Sequence, residues 1–374
     1  MSSFKEFTLR PSLLATLEKM GFTTPTEIQS RALPPLLGGR SVAGVAETGS
    51  GKTLAYALPV LHQLKQLEED GDPVSLPGHP RAVVVVPASD LGEQVAKAFK
   101  EFTHDTRLRV RSALGGTTMG IARRNVAGPF EVLLATPGRL EQLMQLKLVN
   151  LSDLRVLVFD EADQMLDAGF LPVIKRVLKH SPEHRQLALF TATASDAVQI
   201  LIQEMFSDAE LIETAGRHRL VSTLITRNLE VPNGQRFPLL EEVLAEEAEG
   251  GTLMFANTRE QCDKLAGELT DNGYSCAIYR GDMDKKERRQ NLKKFRDGTL
   301  GILISTDLAS RGLDVENIGR VINYHLPKEM NNYLHRAGRT ARAGREGTVL
   351  NFVTARDMNL IKRLDSIQTP EANR

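Results

Sequence analysis

The chain has 374 residues, of which 41% are hydrophobic and 25% are charged, and it carries 47 basic and 47 acidic side chains. This composition is typical of a globular protein with two or three domains, and it excludes disordered, collagen-like and coiled-coil classes. A net charge of zero excludes a partner that is captured by overall charge alone. Purely apolar runs are short, such as residues 83–86, and none is long enough to span a bilayer.

The N-terminus and the cysteine count bear on where the protein works. No apolar leader with a cleavage pattern follows Met1, so a secretory signal is not predicted. Cys262 and Cys276 are too few to build a disulfide framework. A reducing compartment is therefore expected, namely the cytoplasm, with no membrane partner.

The first half of the chain predicts alternating strands and helices. Amphipathic stretches, such as residues 54–67, separate short apolar and β-branched runs. Near-continuous apolar strands that alternate with helices indicate a parallel sheet covered on both faces. The strands are predicted at residues 42–46, 82–86, 132–135, 156–159 and 187–191.

The second half repeats this pattern after a stretch without a helical or strand period. Its strands are predicted at residues 253–255, 276–279, 302–305, 321–324 and 348–352. The sequence therefore predicts an α/β protein with two parallel-sheet domains, each flanked by helices. The expected boundaries are 1–215 for the first domain, 216–222 for the linker and 223–374 for the second domain.

A glycine-rich loop lies between the first predicted strand and the first long helix. It consists of Ala46, Glu47, Thr48, Gly49, Ser50, Gly51, Lys52 and Thr53. This is the phosphate-loop pattern with Ala46 in place of the first glycine. Gly49 and Gly51 allow backbone amides to face a phosphate, Lys52 is expected on the β and γ phosphates, and Thr53 is expected to ligate Mg²⁺. A glycine-rich turn without a ligand is the alternative, but the strand, loop and helix agree on a nucleotide site.

Two adjacent acids end the predicted strand at residues 156–159. Parallel sheets place ligands at the carboxyl ends of their strands. Asp160 is expected to hold Mg²⁺ and Glu161 to orient and deprotonate the attacking water. Acids also cap helices, so the pair alone is a moderate indication, and it gains weight from Lys52.

Asp160-Glu161-Ala162-Asp163 spells the motif of the DEAD-box ATP-dependent RNA helicases, and the chain resembles that family from Phe4 to about residue 352. The resemblance implies two tandem RecA-like domains, with RNA-stimulated ATP hydrolysis that unwinds RNA duplexes or remodels RNA–protein complexes. Upstream, Phe22 and Gln29 resemble the family's adenine-recognition motif, with Phe4 at its isolated aromatic position. An amide that both donates and accepts hydrogen bonds suits adenine.

The same resemblance assigns further residues to RNA, to coupling and to the nucleotide. RNA-backbone contacts are implied for Pro87, Gly115, Gly116, Thr136, Arg139, Asn257, Thr258, Gly281, Thr306 and Arg311. Coupling of hydrolysis to unwinding is implied for Asp163, Thr191, Thr193, His335 and Arg336. Asp314 is assigned to the ribose, and Arg339 and Arg342 are assigned to the phosphates.

The arginines also have a reading that does not depend on the family. Arg336, Arg339 and Arg342 recur every three residues, which on a helix places them along one face. A solvated basic stripe is one interpretation. The other is that they meet the γ-phosphate and stabilise charge in the transition state.

The chain departs from its family where RNA contacts are expected. Ala88 and Ser89 stand where the family has a threonine and an arginine, so a hydroxyl at the first position and a guanidinium at the second are missing. Arg280 and Lys285 also differ from the usual residues. We therefore expect weaker RNA binding by the first domain, partly offset by these two cations in the second. The alternative is that Ser89 simply caps the next helix.

Two other functions remain open at this level. One is a DNA-directed helicase of the same superfamily, and the other is an ATP-gated RNA clamp or scaffold with little unwinding activity. Protein partners in RNA processing, ribosome assembly or decay are expected, as is a monomeric chain. Residues 280–345 hold 15 basic and 8 acidic side chains, which is interpreted as a solvated basic face unless a polyanion lies beside it.

Overall fold

The chain divides into two compact units, Met1–Arg217 and His218–Arg374, and each is described by itself. The predicted linker at 216–222 lies outside the residues that the structure describes. A computed structural model describes residues 3–47, 49–214, 224–307, 315, 317–341 and 346–368.

The first unit contains a sheet of seven strands, all paired in parallel. The strands are β1 (Val42–Val45), β2 (Ala82–Val85), β3 (Val110–Ala113), β4 (Val132–Ala135), β5 (Val156–Asp160), β6 (Gln186–Thr191) and β7 (Glu210–Glu213). Their order across the sheet is β3-β4-β2-β5-β6-β1-β7. The carboxyl ends of β3, β4 and β2 therefore lie next to those of β5, β6 and β1 along one edge.

Helices cover both faces of this sheet. They are α1 (Pro11–Lys19), α2 (Glu27–Leu37), α3 (Lys52–Glu69), α4 (Ser89–Thr106), α5 (Met119–Asn125), α6 (Pro137–Gln145), α7 (Ala162–Asp167), α8 (Leu171–His180) and α9 (Asp196–Met205). One apolar cluster joins α1 to α4 to one face of the sheet. A second cluster joins α5 to α9 to the other face. Side chains alternate between these clusters along each central strand: Val84 lies in the first and Val83 in the second.

The second unit contains a six-stranded parallel sheet in the order β10-β11-β9-β12-β13-β8. The strands are β8 (Leu224–Glu230), β9 (Gly251–Phe255), β10 (Cys276–Tyr279), β11 (Ile302–Ser305), β12 (Ile318–Asn323) and β13 (Gly347–Val353). The described helices are α10 (Arg236–Ala245), α11 (Arg259–Asp271), α12 (Lys285–Arg296), α13 (Met330–Ala337) and α14 (Met358–Gln368). Helices α10 and α11 cover one face, and α12, α13 and α14 cover the other.

The predicted α/β architecture is confirmed, and every predicted strand overlaps an observed one. Three strands were not predicted, namely β3, β7 and β8. Each lies at an edge of its sheet, and each exposes several side chains, as in the Val-Arg-Ser-Ala of β3. Among the described residues, no helix combines the length and the apolarity needed to cross a membrane.

Backbone packing in β12 leads to a stability prediction. A Cβ atom added to Gly319 would lie 1.6 Å from the carbonyl oxygen of Glu249, at the point where the register of β12 shifts between Ile318 and Arg320. Gly319→Ala should therefore force the backbone apart and lower the free energy of unfolding by at least about 2 kcal/mol. Urea denaturation of the full chain measures this change.

Gly267 provides the matched control, because it lies on the exposed face of α11 and a Cβ there meets nothing within 4 Å. Gly267→Ala should leave stability unchanged or raise it by up to about 1 kcal/mol, since alanine is the better helix former. Equal stability of the two variants would contradict the packing described for β12.

Candidate functional site

The phosphate loop leads from β1 into α3, and its glycines have conformations that other residues avoid. Gly49 and Gly51 have φ angles of 84° and 89°. Gly51 also packs against Gln29, since a Cβ atom on Gly51 would lie 2.4 Å from Gln29 Nε2. Any side chain at Gly51 would therefore be strained and would collide with Gln29.

The Lys52 ammonium group lies inside this loop. Lys52 is 7% exposed, and its Nζ donates to the carbonyl oxygens of Ala46 at 2.7 Å and Glu47 at 2.8 Å. A lysine ammonium has three donors, so one remains for a phosphate oxygen. The loop thus holds a buried positive charge beside amides that begin a helix, which is a favourable environment for an anion.

Asp160 ends β5 and is 2% exposed. Its Oδ2 accepts a hydrogen bond from the Tyr56 hydroxyl at 2.7 Å, and its Oδ1 accepts from the Glu161 amide at 3.0 Å. Burial raises the pKa of Asp160, whereas the charge of Lys52 and the Tyr56 hydrogen bond act in the opposite direction. The carboxylate is thus oriented on a rigid strand end.

Tyr56 was missed by the sequence analysis. It is fully buried on α3, and burial followed by the charge of Asp160 raises its pKa well above the ordinary value, so the hydroxyl keeps its proton. The available indication was its spacing, because Tyr56 follows Lys52 by four residues and so lies on the same face of the helix.

Glu161 precedes α7 with a left-handed backbone, at φ 55° and ψ 54°. For a residue with a Cβ atom this conformation costs about 1–2 kcal/mol. The side chain is 7% exposed, next to Asp160 in sequence. A strained turn that directs an acid at the end of a sheet strand is typical of catalytic positions.

The donors near Asp160 fit Mg²⁺. Asp160 and Thr53 offer oxygen atoms, which hard cations prefer. Among the described residues, no group of three or more His, Cys, Asp or Glu side chains could enclose a metal. A site with so few protein ligands suits Mg²⁺, which keeps several waters and takes phosphate oxygens from its substrate.

The residues of the expected adenine motif are distributed unequally. Gln29 is 3% exposed; its Oε1 accepts from the Thr26 amide at 2.9 Å and its Nε2 donates to the Gly51 carbonyl at 3.0 Å. The Phe22 ring is 43% exposed, so it is available for stacking. Phe4 is 3% exposed within the apolar core. The expectation of a nucleotide contact from Phe4 is corrected here, because its ring is used for packing.

The coupling residues of the first unit are in direct contact. Thr193 Oγ1 donates to Asp163 Oδ2 at 3.0 Å, and Thr191 Oγ1 donates to the Thr193 carbonyl at 2.9 Å. The Ala46 amide donates to the Thr191 carbonyl at 3.0 Å. These bonds connect the carboxyl ends of β5, β6 and β1 into one network that is almost fully buried.

The expected RNA residues of the first unit meet at the carboxyl ends of β2, β3 and β4. Ser89 Oγ donates to the Gly115 carbonyl at 2.7 Å, and the Gly115 amide donates to Thr136 Oγ1 at 3.0 Å. Arg139 Nη2 donates to the Thr117 carbonyl at 2.5 Å. The loop that carries Gly115 and Gly116 is therefore fixed from both sides.

Two sequence expectations about this region change. Helix α4 begins at Ser89 with Ala88 at the N-cap, so the Ser89 hydroxyl does not cap the helix. Arg139 was expected on RNA, but its guanidinium binds the Thr117 carbonyl and approaches Met119 Sδ at 3.7 Å. Gly116 is exposed, and Pro87 is half-buried at the end of β2.

Arg336 is the hydrogen-bonding centre of the second unit. It is 1% exposed and all of its donors are used: Nε and Nη2 bind Asp307, Nη1 binds Asn323 and the His325 carbonyl, and Nη2 also binds Asn257, at 2.5–3.0 Å. Its guanidinium also lies 4.9 Å from the centre of the Phe255 ring. The interpretation that Arg336 shares a phosphate-facing helical stripe with Arg339 is wrong, because α13 ends at Ala337 and Arg336 is saturated.

Other predicted residues of the second unit divide into three groups. Asn257 is committed internally, since it also donates to the Leu326 carbonyl at 2.8 Å, and Thr258 Oγ1 caps α11 by accepting from the Gln261 amide at 3.2 Å. His335 and Arg339 are 7% and 3% exposed, and Arg339 Nε donates to the His335 carbonyl at 3.1 Å, whereas Gly281 is exposed and Thr306 half-buried. Thr48, Arg311, Asp314 and Arg342 lie outside the described residues.

Arg280 does not have the role expected from its charge. Its side chain is 15% exposed, and its Nη1 binds Asp263 at 2.7 Å and the Arg259 carbonyl at 3.0 Å. Asp282 lies 3.5 Å from its Nε. The expectation that Arg280 offsets weak RNA binding is therefore not supported, because the guanidinium is already paired within its own unit.

A phosphate loop after one strand and an acid pair at the end of a neighbouring one define a nucleoside-triphosphate hydrolase. Comparison with known proteins makes this class specific. Residues 26–201 match the model of the DEAD/DEAH box helicase family, and residues 235–344 match that of the helicase conserved C-terminal domain.

Relatives and solved structures agree over the whole length. ATP-dependent RNA helicase CshA of Listeria monocytogenes is 31% identical over 99% of this chain and 71% of its own length. ATP-dependent rRNA helicase RRP3 of Eremothecium gossypii is 34% identical over 98% and 74%. The structure of S. cerevisiae Dbp5 bound to RNA and ADP BeF3 superposes with a TM-score of 0.86 at 30% identity, covering 98% of this chain and 93% of that one. The chain belongs to the DEAD-box family of ATP-dependent RNA helicases, which are ATP hydrolases with two RecA-like domains.

The saturated network around Arg336 gives a prediction that separates a structural role from a phosphate contact. Arg336→Lys retains the charge but supplies three donors in place of five, so Asp307 and the asparagines lose partners in a buried site. The free energy of unfolding of the second unit should fall by about 3–5 kcal/mol. Urea denaturation measures the fall. Unchanged stability with loss of ATP hydrolysis would instead mean that Arg336 acts on phosphate.

Proposed function

We propose that this helicase hydrolyses ATP at the carboxyl ends of β1, β5 and β6 and binds RNA at the adjacent ends of β2, β3 and β4. The observation that carries the proposal is the strand order, which makes these two sets of loops neighbours at β2 and β5. The Thr193–Asp163 hydrogen bond supports the coupling, because it ties the acid motif to the end of β6. A change at the phosphates thereby reaches the strand ends directly.

In the ATP site, Lys52 binds the β and γ phosphates, and Thr53 and Asp160 hold Mg²⁺. Mg²⁺ supplies neutralisation of the charge on the phosphate oxygens. Glu161 accepts a proton from the water that attacks the γ-phosphorus, while the bond from that phosphorus to the ADP oxygen breaks. Tyr56 keeps Asp160 oriented, as their 2.7 Å hydrogen bond indicates.

Nucleotide selection is proposed for Phe22 and Gln29. The exposed Phe22 ring stacks on adenine, and Gln29 uses its remaining donor and acceptor sites on the adenine edge. Because Gln29 also binds Gly51 at 3.0 Å, adenine binding orders the phosphate loop. Family resemblance adds Arg339 and Arg342 on the phosphates and Asp314 on the ribose as proposals of the same kind.

RNA is bound mainly through its backbone, with little sequence preference. The loop fixed by Ser89, Thr136 and Arg139 presents the exposed Gly116 backbone, and backbone groups read phosphate and sugar, not base identity. An ATP-gated RNA clamp with little unwinding is the second candidate, favoured by the missing arginine at Ser89. Comparing ATP hydrolysis with duplex unwinding by the same preparation separates the two, and equal lengths of RNA and DNA test the nucleic acid.

Protein partners in RNA processing and a cytoplasmic location are further proposals. S. cerevisiae Dbp5, which is similar to this chain, has been solved in complexes with Gle1 and Nup159. Those partners belong to Dbp5. They support only the general proposal that proteins regulate or place a helicase of this type.

The catalytic assignments lead to paired variants of the full chain. Lys52→Ala should abolish ATP turnover and weaken ATP binding, because it removes a positive charge from the phosphates. Glu161→Gln should also lose turnover, by about 10²–10⁴-fold, but it should retain ATP binding, because the amide keeps the shape and cannot accept the proton.

Steady-state hydrolysis with and without RNA, together with equilibrium binding of ATP, tests both variants. Glu161→Gln should also bind RNA more tightly in ATP than the wild type does, since the ATP state persists. Turnover by Glu161→Gln at the wild-type rate would remove Glu161 from the mechanism.

Ser89 generates a prediction specific to this chain. Ser89→Ala removes the 2.7 Å hydrogen bond to the Gly115 carbonyl, so the Gly115–Gly116 loop loses one of its fixed points. The RNA concentration that half-stimulates ATP hydrolysis should rise by about 3- to 10-fold, for one hydrogen bond of about 1 kcal/mol. The ATP concentration for half-maximal hydrolysis without RNA should not change.

Ser89→Thr keeps the hydroxyl and should restore the RNA response. The dependence of RNA binding on salt should be the same for Ser89→Ala and the wild type, because no charge is removed. A reduced salt dependence, or no rescue by threonine, would show that the hydroxyl does not act by fixing the loop.

A further inference from the structure

Helix α12 concentrates positive charge in a chain whose net charge is zero. Its sequence, Lys-Lys-Glu-Arg-Arg-Gln-Asn-Leu-Lys-Lys-Phe-Arg, contains seven basic residues and one acid. Such a helix needs a reason, because like charges on neighbouring turns repel and lower helix stability.

The two faces of α12 differ. The inner face packs Phe295, which is 4% exposed, and Leu292 against the core, and Asn291 donates to the Ile278 carbonyl at 3.0 Å. The Arg288 guanidinium also turns inward and lies 5.6 Å from the centre of the Tyr279 ring. The fold therefore fixes which side of the helix faces solvent.

The outer face carries a basic stripe, which we define as Lys286, Arg289, Gln290 and Lys293. All four side chains are exposed, and their spacing of three and four residues aligns them along about 10 Å of the helix. They line a shallow open hollow together with Asp284.

Nearby acids reduce this charge only in part. Asp284 accepts from the amides of Lys286 and Glu287 at 2.9 and 3.2 Å, so its carboxylate is engaged as the helix cap. Lys293 pairs with Asp297 at 3.3 Å, but both side chains are largely exposed, and such pairs are weak. Glu287 is exposed beside the stripe.

We propose that the basic stripe binds the phosphate backbone of the RNA beyond the segment held by the helicase motifs. The proposal rests on the proposed function, which brings a polyanion to this protein. Gly281, an expected RNA contact, precedes the helix cap Asp284 by three residues, so the stripe continues from that contact along α12. It would lengthen the footprint of the protein on RNA without adding sequence specificity.

RNA fits this surface better than an acidic protein does. Stable protein interfaces rely on buried aromatic or aliphatic anchors, and the stripe offers three cations and an amide. Phosphate contacts need no apolar anchor, because their affinity comes from charge neutralisation and counterion release. Flexible lysines also suit a backbone whose phosphates are not held in one fixed geometry.

The test compares two single-stranded RNAs: the shortest strand that fully stimulates ATP hydrolysis, and a strand several times as long. Binding of each to the full chain is measured by fluorescence anisotropy at several salt concentrations, with a non-hydrolysable ATP analogue present. The variant is Lys286→Gln with Lys293→Gln, which removes two charges from the exposed face and leaves the inner face intact. The control is Lys175→Gln with Lys179→Gln, which removes two exposed lysines from α8.

For the long strand, the stripe variant should bind about tenfold more weakly, and the slope of log affinity against log salt should fall by about two units, one for each lost phosphate contact. For the short strand, neither quantity should change beyond the control. Equal loss for both strands, or no loss for either, would overturn the inference alone, and the second result would leave an acidic protein as the occupant. Wild-type protein that binds neither strand would overturn the proposed function and the inference with it.

Discussion

Parallel pairing of the strands is the constraint on which the rest of this molecule depends. In a parallel sheet all carboxyl ends meet at one edge, and the loops that follow them become neighbours even when they are far apart in sequence. Here Lys52 follows β1, Glu161 follows β5 and Thr193 follows β6, while Ser89, Gly115 and Thr136 follow β2, β3 and β4. The order β3-β4-β2-β5-β6-β1 separates these into two adjacent groups. The geometry thus provides an ATP site and an RNA site on a single rigid edge.

Short buried hydrogen bonds then convert this edge into a defined site. Tyr56 orients Asp160, Thr193 holds Asp163, and Gln29 holds the Gly51 carbonyl. Each of these polar groups is almost fully buried, so leaving one unpaired would cost about 1–3 kcal/mol. The same bonds connect the nucleotide loop to neighbouring strand ends, which gives a physical route from the phosphates to the RNA loops.

The second unit uses its cations in two opposite ways. Arg336 and Arg280 are turned inward and paired with Asp307 and Asp263, so their charge stabilises the fold. Lys286 and Lys293 project from α12 into solvent. Counting charges along the sequence cannot separate these classes, because only packing determines which side chains meet an acid. The excess of basic residues between 280 and 345 is therefore a mixture of structural and surface charge.

The sequence by itself determined the α/β class, the central strands, the phosphate loop and the acid pair, because continuous apolar runs and fixed motif spacings are local properties. Strands β3, β7 and β8 were not predicted, since an edge strand is paired on one side and tolerates polar residues such as Arg111 and Glu210. Tyr56 on Asp160, Ser89 on Gly115 and the saturation of Arg336 were decided only by the tertiary structure. Each joins residues separated by 26 to 104 positions, and that proximity arises from the order in which the strands assemble.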